Sequence, residues 1–396
     1  MVRAPFTVLV LATCVFALLL TTTTSTDARL SALPLRAVAP AADAASSARV
    51  DLGRLLFWDP ILSANSDVAC ATCHHPDFAY TDGRDLSLGT NAAGLGPARV
   101  SIVGHDVVPV RRNSPTILNV AFNGLTADRP NGSPDAPMFW DLRVKGLEAQ
   151  ALEPIKAHDE MRGDAYSEPD AVAQAVARLA ANAEYRELFA RAFGATQPVT
   201  ARNLGRAIAS FERTLVAGNS PFDRYMHGDA DAMTPEQVRG MERFETAGCV
   251  NCHSGPMLSD FAPHVLGVPD HPQLEASNAG TGTYAFRTPS LRNVGLTGPY
   301  MHNGVFTSLG EVLNFYRRVS FGGGRGGRRG AGFGQRGLNP NVAPATRDPL
   351  LRQLNMRGRG QGEIIAFLQA LDDPDYDRTI PRRVPSGLEV GGHIAR

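Results

Sequence analysis

Apolar positions along this chain recur at helical spacing. Behind Thr200, the residues Leu204, Ile208, Phe211 and Leu215 share one face, which predicts a core helix from about Thr200 to Ala217 with Thr200 as its N-cap. Shorter periodic stretches predict helices over Ala171 to Leu179 and Glu363 to Leu371. Ser308 and Glu311 stand at capping-box spacing and open a further helix carrying Val312, Phe315 and Tyr316. No segment sustains the alternation of a sheet strand, so the fold class is mainly α. The 39 glycines and 28 prolines predict long irregular connections between the helices.

A continuous apolar run occurs near the start. Met1-Val2-Arg3 precedes the stretch from Val8 to Leu20, and a Thr/Ser-rich region follows, with Ala28 as a cleavage point. Residues 1–28 therefore read as a secretory signal peptide. The run is shorter than the roughly 20 residues that span a bilayer, which argues against a membrane span after cleavage. Cys14 is followed by further apolar residues, which argues against lipidation there. The remaining chain, about 370 residues, exceeds one ordinary core and predicts two domains. A formal net charge of 0 argues against nucleic acid as a partner. The basic, glycine-rich stretch Gly322 to Gly337 lacks apolar periodicity and predicts a loop. It is either a solvated insertion or a docking surface for an acidic electron-transfer partner.

The chemistry is concentrated in two Cys-x-x-Cys-His pentads, Cys70 to His74 and Cys249 to His253. Each is the attachment signature of a c-type haem: the thiols form thioethers to the vinyl groups, and the adjacent histidine, His74 or His253, ligates iron. A zinc site would need more partners nearby, and a disulfide would not repeat the trailing histidine. The five cysteines comprise Cys14 and these four, so no thiol is left for a structural disulfide. Haem attachment of this kind occurs outside the cytoplasm, which places the protein in the periplasm. Leu56-Phe57 precedes the first pentad and Arg243-Phe244 the second, as expected for a duplicated unit.

Several segments together resemble the bacterial di-haem cytochrome c peroxidases and the MauG-type di-haem oxidases. They include Leu55-Leu-Phe-Trp-Asp-Pro-Ile-Leu-Ser63, Arg112-Asn-Ser-Pro-Thr-Ile-Leu-Asn119, Phe139-Trp-Asp141, Ser210-Phe-Glu-Arg-Thr-Leu215, Gly218-Asn-Ser-Pro-Phe-Asp223, Pro289-Ser-Leu-Arg-Asn-Val294 and Gly298-Pro-Tyr-Met-His-Asn-Gly304. The resemblance spans Leu52 to about Leu371. It implies two cytochrome c-like domains, 46–212 and 213–372, with the haems facing their boundary, and an extended C-terminal tail over 373–396.

The resemblance also assigns candidate roles. Trp140, Gln150 and Glu160 keep the family's two ten-residue intervals. Glu160 would be the distal acid/base for hydrogen peroxide at the His74 haem, with Gln150 and the bend at Pro154 shaping the pocket. Trp140 would relay electrons between the haems. Taken alone, Glu160 reads as a surface carboxylate and Trp140 as core packing. Counting nineteen residues from Thr297 reaches Tyr316, as in the MauG-type enzymes, where the peroxidases place a methionine. An anionic phenolate on the second iron favours higher oxidation states; the alternative ligands are Met301 and Met356. His105 resembles the histidine that closes the first haem of resting peroxidases, or else is a surface residue on its loop. Asn113, Thr297 and Pro299 match the positions that hold one calcium ion through oxygen donors. The electron source would be a small c-type cytochrome or cupredoxin, or else a partner protein would be oxidised; a homodimer is compatible with either. The remaining alternative is a non-catalytic di-haem electron carrier.

Overall fold

The computed structural model describes residues 30–34, 46–126, 133, 135–194, 196–320, 337–356 and 360–394. The expected signal peptide over residues 1–28, Cys14 within it, and the glycine-rich stretch up to residue 336 lie outside them. The helices in chain order are α1 (Ser47–Trp58), α2 (Cys70–Cys73), α3 (Leu147–Gln150), α4 (Glu153–Lys156), α5 (Ala171–Ala181), α6 (Ala183–Phe193), α7 (Ala201–Glu212), α8 (Pro221–Met226), α9 (Pro235–Thr246), α10 (Leu309–Ser320) and α11 (Gln361–Gln369). Three short antiparallel ribbons complete the regular structure: β1 (Ala92–Ala93) with β2 (Val100–Ser101), β3 (Pro137–Met138) with β4 (Val144–Lys145), and β5 (Pro263–Val265) with β6 (Ala285–Arg287).

Each half of the molecule is built on one close helix crossing. In the first, α1 packs on α7, and a Cβ at Gly53 would lie 2.0 Å from the Ala207 carbonyl oxygen and 2.9 Å from the Phe211 Cβ. In the second, α9 packs on α11, and a Cβ at Gly240 would lie 1.9 Å from the Glu363 oxygen and 2.9 Å from the Phe367 Cβ. Four residues after each glycine stands a phenylalanine. Phe57 meets Phe211 and Phe244 meets Phe367, both with ring centroids 5.2 Å apart. Only hydrogen fits at either glycine, and backbone contact brings the aromatic pairs into register. The same device twice, each time just before a pentad, agrees with duplication.

Three predicted helices end elsewhere than their periodicity suggests. Helix α7 stops at Glu212 because Asn119 captures the following backbone, accepting from the Ala217 amide at 2.9 Å and donating to its carbonyl at 2.8 Å. Leu215 stays buried all the same. Helix α5 continues to Ala181, and α11 begins two residues early, after Gly360. At α10 the Ser308 hydroxyl accepts from the Glu311 amide at 3.3 Å, but the Glu311 carboxylate reaches the amide of Thr307 instead of Ser308.

The chain ends cross over. Segment 30–34 packs on the second half, where the Leu33 amide donates to Asp223 at 3.0 Å. The tail packs on the first half: the Tyr80 hydroxyl donates to the Asp377 carbonyl, Ser386 to Asp59, and the Gly391 amide to Trp58. Among the described residues no helix is long and apolar enough to cross a membrane.

Candidate active site

Both pentads open onto one cavity of about 740 Å³ between the halves, within the size range of cofactor pockets. Cys73 and His74 line it from one side, and Cys249, Cys252 and His253 from the other. Cys70 packs beside them against the Phe57 and Tyr80 cluster. All four cysteines are free. The His74 Nδ1 lies 3.0 Å from the Tyr80 carbonyl oxygen, and the His253 Nδ1 lies 3.0 Å from that of Leu258. A carbonyl only accepts, so each Nδ1 carries the proton and each Nε2 is left with its lone pair. Burial lowers both imidazole pKa values and keeps the rings neutral, as iron ligation requires. Paired thiols, an oriented neutral imidazole and an adjoining apolar cavity fit covalent haem at both pentads.

The peroxide-handling candidates lie on this cavity. Gln150 closes α3, Pro154 is the second residue of α4, and Glu160 sits in a π-helical turn, His158–Arg162. That turn is pinned from outside: the Thr90 amide donates to the Glu160 carbonyl at 3.0 Å, and a Cβ on Gly89 would lie 2.3 Å from the same oxygen. Burial, aided by Asp159, pushes the Glu160 carboxyl up to about 7. A carboxyl tuned there exchanges protons near neutral pH.

Trp140 also lines the cavity, and its indole Nε1–H donates to the Asn113 carbonyl at 3.0 Å. Its own carbonyl accepts from the Arg287 amide at 2.7 Å, and the Asn113 amide donates to the His302 carbonyl at 3.0 Å. Trp140 is thus tied to a strip of backbone that joins the halves. Beside it, the His302 and Phe286 rings stack with centroids 3.7 Å apart.

Tyr316, on α10, lines the second side of the cavity, and burial plus the Cys252 and Cys249 thiols push its phenol well above the usual range. Met301 and Met356 line the same cavity. Asn113, Thr297 and Pro299 all line the wall, and the Thr297 and Pro299 carbonyls accept no hydrogen bond among the described residues. Unused oxygen donors suit a hard cation. His105 does not join them. It is exposed on the loop after β2, its amide bonded to the Ile102 carbonyl, and it is absent from the cavity wall.

Sequence reasoning missed three features of the wall. His264 bridges Asp260 at 2.9 Å and Asp348 at 2.5 Å, and these contacts, with the Cys252 thiol, push it up to about 11. Arg112 and Arg143 share Asp141. Arg287 lines the cavity without an acidic partner among the described residues. Arg112 and Asp141 stood inside recognised segments, but no local pattern marks His264 or Arg287.

Comparison with known proteins agrees with this architecture. A family model described as di-haem cytochrome c peroxidase matches residues 47–231. A methylamine utilization protein MauG from Methylorubrum extorquens is 34% identical over 355 residues, covering 87% of this chain and 83% of the relative. A cytochrome c551 peroxidase from Pseudomonas aeruginosa is 35% identical over 275 residues, 66% of this chain and 70% of the relative. Among solved structures, a MauG-like protein associated with microbial copper homeostasis superposes with a TM-score of 0.65 at 29% identity, covering 85% of this chain and 92% of that one.

Proposed function

The chain belongs to the di-haem cytochrome c peroxidase family, and from that premise we propose a periplasmic enzyme that reduces hydrogen peroxide and uses the resulting oxidising equivalents on a second protein. The observation that carries this reading is the shared cavity: Glu160, Gln150 and Pro154 stand on its wall with His74, and Tyr316 with His253. Haem at the two pentads supplies the redox chemistry. Glu160 takes a proton from the peroxide and returns it to the leaving oxygen, so that a neutral water departs. Gln150 and Pro154 shape that end of the cavity. Trp140 lies in the backbone strip joining the halves and serves as the relay. Tyr316 would hold the second iron through its phenol oxygen, and because burial raises the phenol, it would give up its proton only against a strong cationic centre. Asn113, Thr297 and Pro299 would hold a calcium ion through their oxygens, which would stiffen the strip.

The oxidised partner is a small c-type cytochrome or cupredoxin, or an aromatic side chain of a protein substrate. The exposed position of His105 favours the second, MauG-like mode, in which the oxidised enzyme accepts peroxide without prior reduction. Stopped-flow absorption of the fully oxidised protein mixed with peroxide tests this. A rapid, long-lived change at both haems is the expected result. Silence until one electron is added would mean that His105 swings in and that the enzyme is a reductively activated peroxidase. No reaction in either state would leave the electron carrier.

A further inference from the structure

Five arginines line the cavity, and four have a remedy for their charge. Arg112 and Arg143 reach Asp141 at 2.7 and 2.8 Å. Arg292 is buried but sets Nη1 2.7 Å from both oxygens of Asp223. Arg111 is exposed. Arg287 has neither solution. Its Nη1 donates to the Pro137 carbonyl at 2.9 Å, while its Nε is buried with no hydrogen-bond partner. No carboxylate among the described residues pairs with it, and burial alone, with no acidic neighbour opposing, lowers its pKa to about 10. Arg287 keeps part of its surface open to the cavity, while its buried Nε is left without a partner, and an unpaired guanidinium removed even partly from water gains from meeting an anion. That anion can enter with whatever the cavity binds.

Its place in the chain says which group that is. The next residue, Thr288, accepts through its carbonyl from Ser259 at 2.8 Å and donates its amide to Ala262 at 2.9 Å, so Arg287 flanks the loop that follows the second pentad. A haem carries two propionate carboxylates, planar acceptors that match a guanidinium fork. We propose that Arg287 binds a propionate of the haem attached through Cys249 and Cys252, and thereby fixes that haem's edge against Trp140, whose carbonyl accepts from the Arg287 amide. This rests on the haem reading of the second pentad.

The test uses the full chain with both haems attached, as wild type, Arg287→Gln and Arg287→Lys. Haem content is measured first, from the pyridine haemochrome spectrum; a wild type lacking haem at the second pentad would overturn the haem reading itself. With two haems present, losing the cation removes an attraction that favours the reduced, less positive centre. In Arg287→Gln the midpoint potential of the second haem should fall at pH 8 by about 59 mV, a tenfold change for one electron. The gap should close toward pH 5 as the unpaired propionate takes up a proton, and Arg287→Lys should stay near wild type. His264 with its two aspartates, and Arg112 with Asp141, keep their partners in every variant and supply no difference. Two haems with an unchanged potential and pH slope in Arg287→Gln would overturn the assignment. If that variant does not fold, wild type alone decides: a potential that moves with added chloride or acetate would show that Arg287 takes a free anion, and one that does not move supports the propionate.

Discussion

The indole Nε1 of Trp140 donates to the main-chain carbonyl of Asn113 at 3.0 Å, and the same Asn113 donates its amide to His302 in the other half. One side chain is thereby held to the backbone through which the halves touch. In Trp140→Phe that bond is lost at a cost of about 1 kcal/mol. Peroxide should still react at the His74 haem, while the response of the second haem slows several-fold in stopped-flow traces. Equal rates would reduce Trp140 to packing.

Glu160 acts as a base only when ionised. Since burial raises its carboxyl to about 7, kcat/KM for peroxide should climb as pH rises through that value. Glu160→Gln should remove this limb and lower kcat/KM by about 10²–10⁴ without changing haem content. A pH profile retained in the glutamine variant would assign the limb to another group.

With Tyr316 as the proposed iron ligand, its replacement by methionine would exchange a phenolate for a neutral thioether. The midpoint potential of the second haem should rise by on the order of 100 mV, inside the span of about 0.8 V that axial ligands cover. Its oxidised state after peroxide should also decay faster. An unaltered redox titration would hand the ligand position to Met301 or Met356.

Glu212 is buried at the end of α7, its Oε2 has no hydrogen-bond partner, and desolvation raises its carboxyl to about 8. Above the ordinary value of 4.5 the folded state holds this proton more tightly than the unfolded chain does. Stability is therefore fully present below about 4.5 and is lost as pH rises through about 8. Glu212→Gln should flatten that loss, leaving the variant about 1–3 kcal/mol more stable than wild type at pH 8 in denaturant titrations. Parallel stability curves for the two proteins would contradict this.

Much of this molecule was legible from local pattern. A pentad must bring two thiols and an imidazole to one macrocycle, so its members lie within a turn of each other, and Cys70 to His74 and Cys249 to His253 can be read without a fold. Periodicity marked α5, α7, α10 and α11, because helical burial repeats over a few residues. Their ends were less legible: α7 stops where Asn119, far earlier in the chain, takes over the backbone bonds of Ala217.

The sequence by itself therefore determined the cofactor motifs, the helical class and the residue types available for peroxide chemistry. Tertiary structure alone decided which of them share a cavity: Glu160, Trp140 and Tyr316 do, and His105 does not. It also decided the state of each charge, since desolvation and ion pairing sum over neighbours distant in sequence. Arg292 and Arg287 look alike on paper. Asp223 neutralises the first, and the second is left facing the cavity to receive its anion from the cofactor.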